Sequence, residues 1–420
     1  MLDIEFIRAN RERVETDTKA KGVSLDFGAL LALDDERRNL IQDFDEKRRQ
    51  INEHAELFKQ TKGTTSQENI SKGKVLKSEL NEVKEKLDDT QSKIKALALK
   101  VPNILHESVG RGEGESANQI VKTVGTKPEF DFEPKDHETL GRALDLIDTE
   151  TGSFTSGSRF YYLKNTAVLL EFSLVNWLLQ KYVNKGFTPV TTPVLVREHM
   201  LEATGFFPAD RNEIYHVNPD EDDLYLIGTS EVTLAGLHMQ KPLDEAELPK
   251  RYVGFSACFR REAGSYGKDV KGIFRVHQFD KVEMYSYCHP DKSWEEHEYL
   301  RSIEEEILSE LGLHYQIINI GSGDLGAPAA KKYDCEVWLP AQNRYRELTS
   351  CSNTTDFQSR RGGIKYRKAD GSLEYVHTLN GTAMASTRTL IAILENNQTK
   401  DGKIIVPEVL RSFMGGKEYL

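Results

Sequence analysis

Cysteine is scarce in this chain: four in 420 residues, at Cys258, Cys288, Cys335 and Cys351. They form no CxxC pair and no short-range metal spacing, which argues against a disulfide framework and a zinc ribbon, so no zinc is expected. A reducing cytoplasm is the expected home. Long apolar runs are also missing. The richest stretch, Ala167 to Val183, is broken by Glu171, Asn176, Gln180 and Lys181 and falls short of the roughly 20 apolar residues a bilayer span needs, so no membrane partner is expected. The opening residues MLDIEFIRANRERVE are acidic at Asp3, Glu5, Glu12 and Glu15 and lack an apolar core, so neither a secretory nor a mitochondrial signal fits. No GxxxxGK[ST] or GxGxxG run occurs, and a P-loop or Rossmann site is not expected. Positive charge is in deficit, with a formal net charge of -11. A nucleic-acid partner would have to be met by a local basic patch.

The material that is present suits a large folded protein. Hydrophobic residues make up 38% and aromatics 9%, enough for a sizeable core, and 420 residues suggest two or three domains. From Leu33 the residues Arg37, Leu40, Phe44, Lys47, Ile51, His54 and Phe58 follow at alternating spacings of four and three. This is a heptad seam with polar interruptions. A second seam runs through Leu76, Leu80, Val83, Leu87, Thr90, Ile94 and Leu97, and the turn-forming segment KGTTSQEN lies between the two. The pattern predicts an antiparallel helical hairpin, on the order of 45 Å long at 1.5 Å per residue. Such a hairpin buries only one seam and is more often a dimerisation or spacer element than a ligand-binding one. From Lys47 to Lys77, however, it carries eight basic residues (Lys47, Arg48, Arg49, Lys59, Lys62, Lys72, Lys74, Lys77) against three acidic ones (Glu53, Glu56, Glu68), a local charge of +5. A basic tip on a long lever suits a phosphate backbone. The following run, with Pro102, Gly110, Gly112 and Gly114, has linker composition. The expected division is an arm over residues 1–105, a linker over 106–130 and a second domain over 131–420.

In the second domain an amphipathic helix is expected at roughly 165–185. The segment YVGFSACFR, 252–260, alternates as a half-buried strand with Gly254, Ser256, Cys258 and Arg260 on one face. A glycine-bearing loop with Gly264, Gly267 and Gly272 leads to a second predicted strand, 273–287, with Arg275, His277, Phe279, Lys281 and Glu283 on one face. Guanidinium groups for developing phosphate charge, a ring for stacking a base and a carboxylate for an ammonium suit nucleotide-dependent acyl activation. Surface charges on a simple hairpin are the competing reading for any one of these residues. Residues 383–394 read as a buried helix with one ionised residue, Arg388, which needs an anion: either a carboxylate such as Glu395 or a bound phosphate. Glu347 and Ser350 could offer oxygens to magnesium, but a spacing of three puts them on opposite faces of a regular strand, so a bulge or a strand end near Thr349 would be required.

These segments resemble the signature motifs of the class II aminoacyl-tRNA synthetases, and most closely those of the seryl-tRNA synthetase family. FRREAGSYGKDVKGIFRVHQFDKVEMY is similar to the second motif almost throughout, LNGTAMASTR to the third, and FTPVTTPVLV to the first, which in the family helps form the dimer interface. GDLGAPAAKKYDCEVWLPAQ and ELTSCSNTTDFQSRR also match family-typical runs. The resemblance implies an α+β fold: a long antiparallel coiled-coil hairpin, then a class II catalytic domain built on an antiparallel sheet flanked by helices. It implies a homodimeric ligase that makes seryl-adenylate from L-serine and MgATP, then passes the seryl group to tRNA(Ser), with tRNA(Sec) as a second candidate. By the same analogy Arg260, Arg275 and Arg388 are the catalytic cations, and Arg260, Arg261, Glu262, Val276, Phe279, Glu347, Leu348, Thr349, Ser350 and Arg388 hold ATP. Glu347 and Ser350 take its Mg2+. Thr229, Ser230, Glu231, Glu283 and Thr382 bind serine, with Glu283 and Thr382 as the specificity pair, and the arm, through Lys47, Arg48, Arg49, Lys72, Lys74 and Lys77, meets tRNA. Ser230 stands where the family usually has alanine and Thr349 where it commonly has serine. His277 is expected to be structural. A tRNA-independent ligase of the same fold would lack the hairpin and use zinc ligands, and an inactive scaffold would be expected to have lost Arg260, Arg275 or Arg388.

Overall fold

The computed structural model describes residues 2–60, 67–263 and 271–420, with the side chains of residues 58–60 and 68 left aside. Lys62 and most of the expected hairpin turn, Gly264 and Gly267, and the side chains of Phe58, Lys59 and Glu68 lie outside the described residues. The chain forms two compact units, Met1–Pro102 and Asn103–Leu420.

In the first unit, helices α1 (Phe27–Gln60) and α2 (Gln67–Ala98) form the expected antiparallel pair. The heptad positions are the shielded ones: Leu40, Phe44, Ile51 and His54 on α1 and Leu76, Leu80 and Leu87 on α2 are half-buried, Val83 and Thr90 are buried, and most residues between them are exposed. Two of the polar interruptions, Lys47 and Arg37, form ion pairs. Lys47 Nζ reaches Glu79 Oε2 on the opposite helix at 2.9 Å. Arg37 pairs with buried Asp34 at 2.7 Å, which also takes Arg38 at 3.0 Å and Arg8, from the short helix Ile4–Ala9, at 2.9 Å. Burial raises the Asp34 pKa, and these arginines outweigh it and hold the carboxyl below its ordinary value.

The second unit is built on an eight-stranded sheet. Its strands are β1 (Gln119–Val124), β2 (Thr188–Thr191), β3 (Lys250–Phe259), β4 (Gln278–Cys288), β5 (Tyr315–Asn319), β6 (Lys331–Leu339), β7 (Arg344–Asn353) and β8 (His377–Ala385), in the spatial order β1-β5-β6-β7-β8-β4-β3-β2. All neighbours are antiparallel except β2 and β3. Helix α3 (His137–Ala143) packs on α6 (Ser386–Asn396), which together with α4 (Thr166–Asn184) and α5 (Ser293–Glu310) packs against the sheet. The core joins Leu170, Leu174 and Leu178 of α4, Leu300, Ile303 and Ile307 of α5 and Leu390, Ile391 and Ile393 of α6 to the sheet. Helix α4 matches the expected boundaries to within one residue.

Three expectations change. The glycines of 106–130 do not make a free linker, because they allow close backbone packing: a Cβ on Gly110 would come within 2.7 Å of the Ala117 carbonyl. The Gly110 carbonyl accepts from the Ser322 amide at 2.8 Å, and residues 119–124 form the edge strand β1. Strand β4 starts at Gln278, so Arg275 and His277 precede it and do not share its alternation. Finally, residues 383–385 end β8, and the helix carrying Arg388 starts at Ser386.

Candidate active site

Two backbone irregularities create the site. Along β6 and β7, Cys335 faces Thr349 but Glu336 faces Glu347, so Leu348 is an extra residue in the ladder. Of the two irregularities that the spacing of Glu347 and Ser350 allows, a bulge or a strand end, the chain has the bulge, and it lets both line one small cavity of about 70 Å³. Along β4 and β8, Val282 faces Met384 while Glu283 faces Thr382, making Ala383 the extra residue. Thr382 Oγ1 thereby donates to Glu283 Oε2 at 3.4 Å.

Around that cavity stand Arg260, Glu262, Arg275, Val276, Phe279, Glu347, Leu348, Ser350, Thr382 and Arg388. They come from four separate stretches of chain. Arg260, just past β3, donates from Nε to the Gly228 carbonyl at 3.2 Å, and its guanidinium lies 5.4 Å from the Phe279 ring centroid. Glu262, at φ +50°, adopts a left-handed turn, and its Oε2 lies 3.2 Å from Arg275 Nη1. Arg388 donates from Nη1 to the Glu347 carbonyl at 2.9 Å and to Glu347 Oε2 at 3.1 Å. Its anion is therefore Glu347; Glu395 points instead to His137. Burial raises the Glu347 pKa, but Arg388, Lys332 and Arg260 outweigh it and keep the carboxyl well below the usual range. A second cavity of about 380 Å³ adjoins the first, sharing Arg260, Glu262 and Arg275 and adding Asp210, Phe206 and Phe259.

Beside the arginines lies a buried polar cluster. Glu283, 1% exposed, is ion-paired with Lys281, whose Nζ also donates to Thr229 Oγ1 at 3.2 Å. Burial raises the Glu283 pKa despite Lys281. Glu231 accepts from Gln358 Nε2 at 2.7 Å, and burial, reinforced by Glu283, pushes its carboxyl up to about 7. Ser230 is fully buried and its Oγ has no hydrogen-bond partner among the described residues. Opposite Glu283 sits Gly254, where a Cβ would come within 3.0 Å of Ser230 Oγ.

Some sequence-predicted residues are placed elsewhere. Arg261 is exposed, donates its amide to the Glu213 carbonyl at 2.8 Å, and is not among the described residues lining either cavity. Thr349 faces the other side of the sheet, where its hydroxyl donates to Glu304 Oε2 at 3.1 Å, because the bulge that aligns Glu347 with Ser350 turns the residue between them away. His277 receives its place from the Arg260 carbonyl, 2.9 Å from Nδ1, and from packing against Phe160. Lys281, Phe274 and Gln358 had been given no role from the sequence. Lys281 was legible as sharing a strand face with Glu283, whereas Gln358 comes from a distant helix that no local pattern links to Glu231. On the arm, Arg48, Arg49, Lys72, Lys74 and Lys77 are exposed, Arg49 being tied to Glu46 and Glu53 at 2.8 Å each.

Comparison with known proteins agrees with this architecture. Residues 1–105 match the family model of the seryl-tRNA synthetase N-terminal domain, and residues 215–397 match that of the tRNA synthetase class II core domain (G, H, P, S and T). The chain is 44% identical over 416 residues to the serine–tRNA ligase of Thermobifida fusca, covering 99% of this chain and 98% of that protein. Against the serine–tRNA ligase of Borreliella burgdorferi strain B31 it is 44% identical over 428 residues, covering 99% and 98%. Among solved structures, seryl-tRNA synthetase from Pyrococcus horikoshii complexed with ATP superposes with a TM-score of 0.91 at 38% identity, covering 100% of this chain and 99% of that one. The cytoplasmic serine–tRNA ligase of Naegleria fowleri in complex with AMP gives 0.87 at 33% identity, covering 100% and 98%. With an arm and a core that each match their family model and full-length identity well above 30%, the chain belongs to the seryl-tRNA synthetase family of class II aminoacyl-tRNA synthetases.

Proposed function

We propose that this protein is a serine–tRNA ligase: it activates L-serine with ATP and transfers the seryl group to the 3′ end of tRNA(Ser). The observation that carries this reading is the convergence of Arg260, Arg275 and Arg388 with Phe279 on one cavity beside the buried Glu283–Thr382 pair. Phe279 offers its face to adenine, and Arg260 receives the α-phosphate. Arg275 and Arg388 hold the rest of the triphosphate, while Glu262 and Glu347 keep these two arginines in place beforehand. The serine carboxylate attacks the α-phosphorus, an O–P bond forms, the bond to the β-phosphate oxygen breaks, and pyrophosphate departs. The arginines act by positioning and by offsetting charge in the transition state, so the chain needs no nucleophile of its own. Glu283, Thr382 and Thr229 present polar groups to a serine-sized substrate. Alanine would leave such groups unpaired, which is a stronger discrimination than an apolar pocket can make.

Magnesium fits this site: Glu347 and Ser350 share one face, Arg388 and its neighbours keep Glu347 ionised, and two oxygen ligands suit a cation that fills its remaining positions with water and phosphate. When bound with ATP it would supply further charge neutralisation at the phosphates.

The basic face of the hairpin, with Arg48, Lys72, Lys74 and Lys77, is assigned to the tRNA backbone. A homodimer is the expected assembly, supported by the apolar side chains that α4 exposes, Leu169, Phe172 and Val183. Sedimentation equilibrium tests it, and a monomer at micromolar concentration would refute it. No described helix is long and apolar enough to cross a membrane, and a cytoplasmic location follows from the proposed reaction. Amino-acid-dependent pyrophosphate exchange tests the assignment most directly. Serine should support exchange and threonine and alanine should not; equal rates with either would show the pocket to be misassigned. Charging of tRNA(Ser), with tRNA(Sec) as a second acceptor, completes the test.

A further inference from the structure

The C-terminal end of α6, the helix that carries Arg388 near its start, grips a distant segment. Glu395 Oε1 accepts from the His137 amide at 3.2 Å and lies 2.8 Å from His137 Nδ1, while Gln398 exchanges hydrogen bonds of 2.8 and 3.0 Å with the backbone of Lys135. On the other side of the imidazole, Nε2 accepts from the Ile273 amide at 3.2 Å. An amide hydrogen can be accepted there only through a nitrogen lone pair, so in this arrangement Nε2 is the acceptor and the Nδ1 edge faces Glu395. Gly272, at φ +69°, lies so close to the ring that a Cβ there would collide with Nε2. Lys271 adds an exposed ion pair with Asp136 at 2.6 Å.

The residues just after this tether are those of the site. Ile273 is fully buried, and two guanidinium groups approach the Phe274 ring, that of Arg346 at 3.8 Å and that of Arg388 at 4.8 Å from its centroid. Arg275 follows and meets Glu262. Because strand β4 begins only at Gln278, no sheet ladder fixes Arg275.

We propose that His137, held by Glu395, is a positioning residue for ATP. Through the Ile273 amide it sets Phe274 and Arg275 in register with Arg388, so one helix governs two of the three arginines. The inference rests on the reading of Arg275 as a phosphate-binding residue. Displacement of such a group by about 1 Å can cost up to about a hundredfold in rate, which makes a tether two residues away consequential.

Two near-isosteric variants separate positioning from simple packing. His137→Asn retains a donor toward Glu395 and removes the acceptor facing Ile273, whereas His137→Gln can place an amide oxygen near the Nε2 position. In pyrophosphate exchange, H137N should lower kcat/KM for ATP about tenfold with the KM for serine changed by less than about twofold, and H137Q should recover to within about threefold of the unsubstituted protein. Equal losses in both variants, or a parallel rise in both KM values that tracks the fall in Tm, would mean that His137 is merely a packed core residue. Should H137N fail to fold, Glu395→Gln replaces it, with an expected loss of about threefold in the same parameter. Arg275→Ala is the companion measurement. If R275A is impaired and H137N is not, the tether is refuted and the site reading survives; if R275A is unimpaired, both fall.

Discussion

The arm and the catalytic unit solve opposite problems with the same chain. In the arm, burial repeats every three or four residues along α1 and α2. In the second unit, residues from positions 229, 260, 279, 347 and 388 meet within one cluster, and two of the alignments depend on single extra residues, Leu348 and Ala383. A periodic element tolerates change at any one point, whereas a converging one transmits a local slip to the chemistry. The two regions should therefore fail in different assays.

The largest separation is expected from removing residues 35–98. Pyrophosphate exchange should stay within about twofold of the intact protein, while aminoacylation is lost, if the arm's basic face has the phosphate-contacting role proposed for it. Loss of both activities together would show that the second unit depends on the arm to fold. Next in size, Arg388→Ala should lower the exchange kcat by about 10³, or about 4 kcal/mol, the scale of removing a preorganised charge-stabilising donor, with tRNA binding unchanged. A loss below about tenfold would return Arg388 to the role of a plain partner for Glu347. Reversing Lys72, Lys74 and Lys77 to Glu should raise the KM for tRNA at least about tenfold and flatten its salt dependence, leaving exchange untouched. An unchanged salt slope would move the tRNA contact to another face.

The smallest effect concerns pH. The Glu231 carboxyl is held at about 7 by burial and by Glu283, against an ordinary value of 4.5. Between those two values the folded state keeps a proton that the unfolded chain releases, so this group's contribution to stability is complete below 4.5 and is lost as pH rises through 7. Glu231→Gln should remove that loss, raising Tm at pH 7.5 relative to pH 5 by about 2 °C compared with the unsubstituted protein. An identical pH profile in differential scanning calorimetry would show that Glu231 does not titrate in this window.

Much of this architecture is legible along the chain. The heptad spacings announce both arm helices, and the run from Thr166 to Asn184 announces α4. The spacing of Glu347 and Ser350 calls for an irregularity between them, a bulge or a strand end. Thr349 illustrates the limit: its hydroxyl belongs by motif to the nucleotide, and the bulge sends it to Glu304 instead. Arg388 illustrates another, since its pattern left open a carboxylate such as Glu395 or a bound phosphate, and folding brings Glu347 within 3.1 Å instead.

Sequence alone determined what depends on near neighbours: helix periodicity, strand alternation, the basic tip, and the residue types on which the family resemblance rests. Tertiary structure alone decided what depends on partners remote in the chain. Glu395 was taken by His137, 258 positions away, and Arg388 was left to Glu347. The glycines near Gly110 were packed against the backbone of a neighbouring segment, and Lys281 was set between Glu283 and Thr229. The physical reason is that a buried charge or a close backbone approach is settled by whichever complementary group the fold delivers, and local spacing carries no record of that delivery.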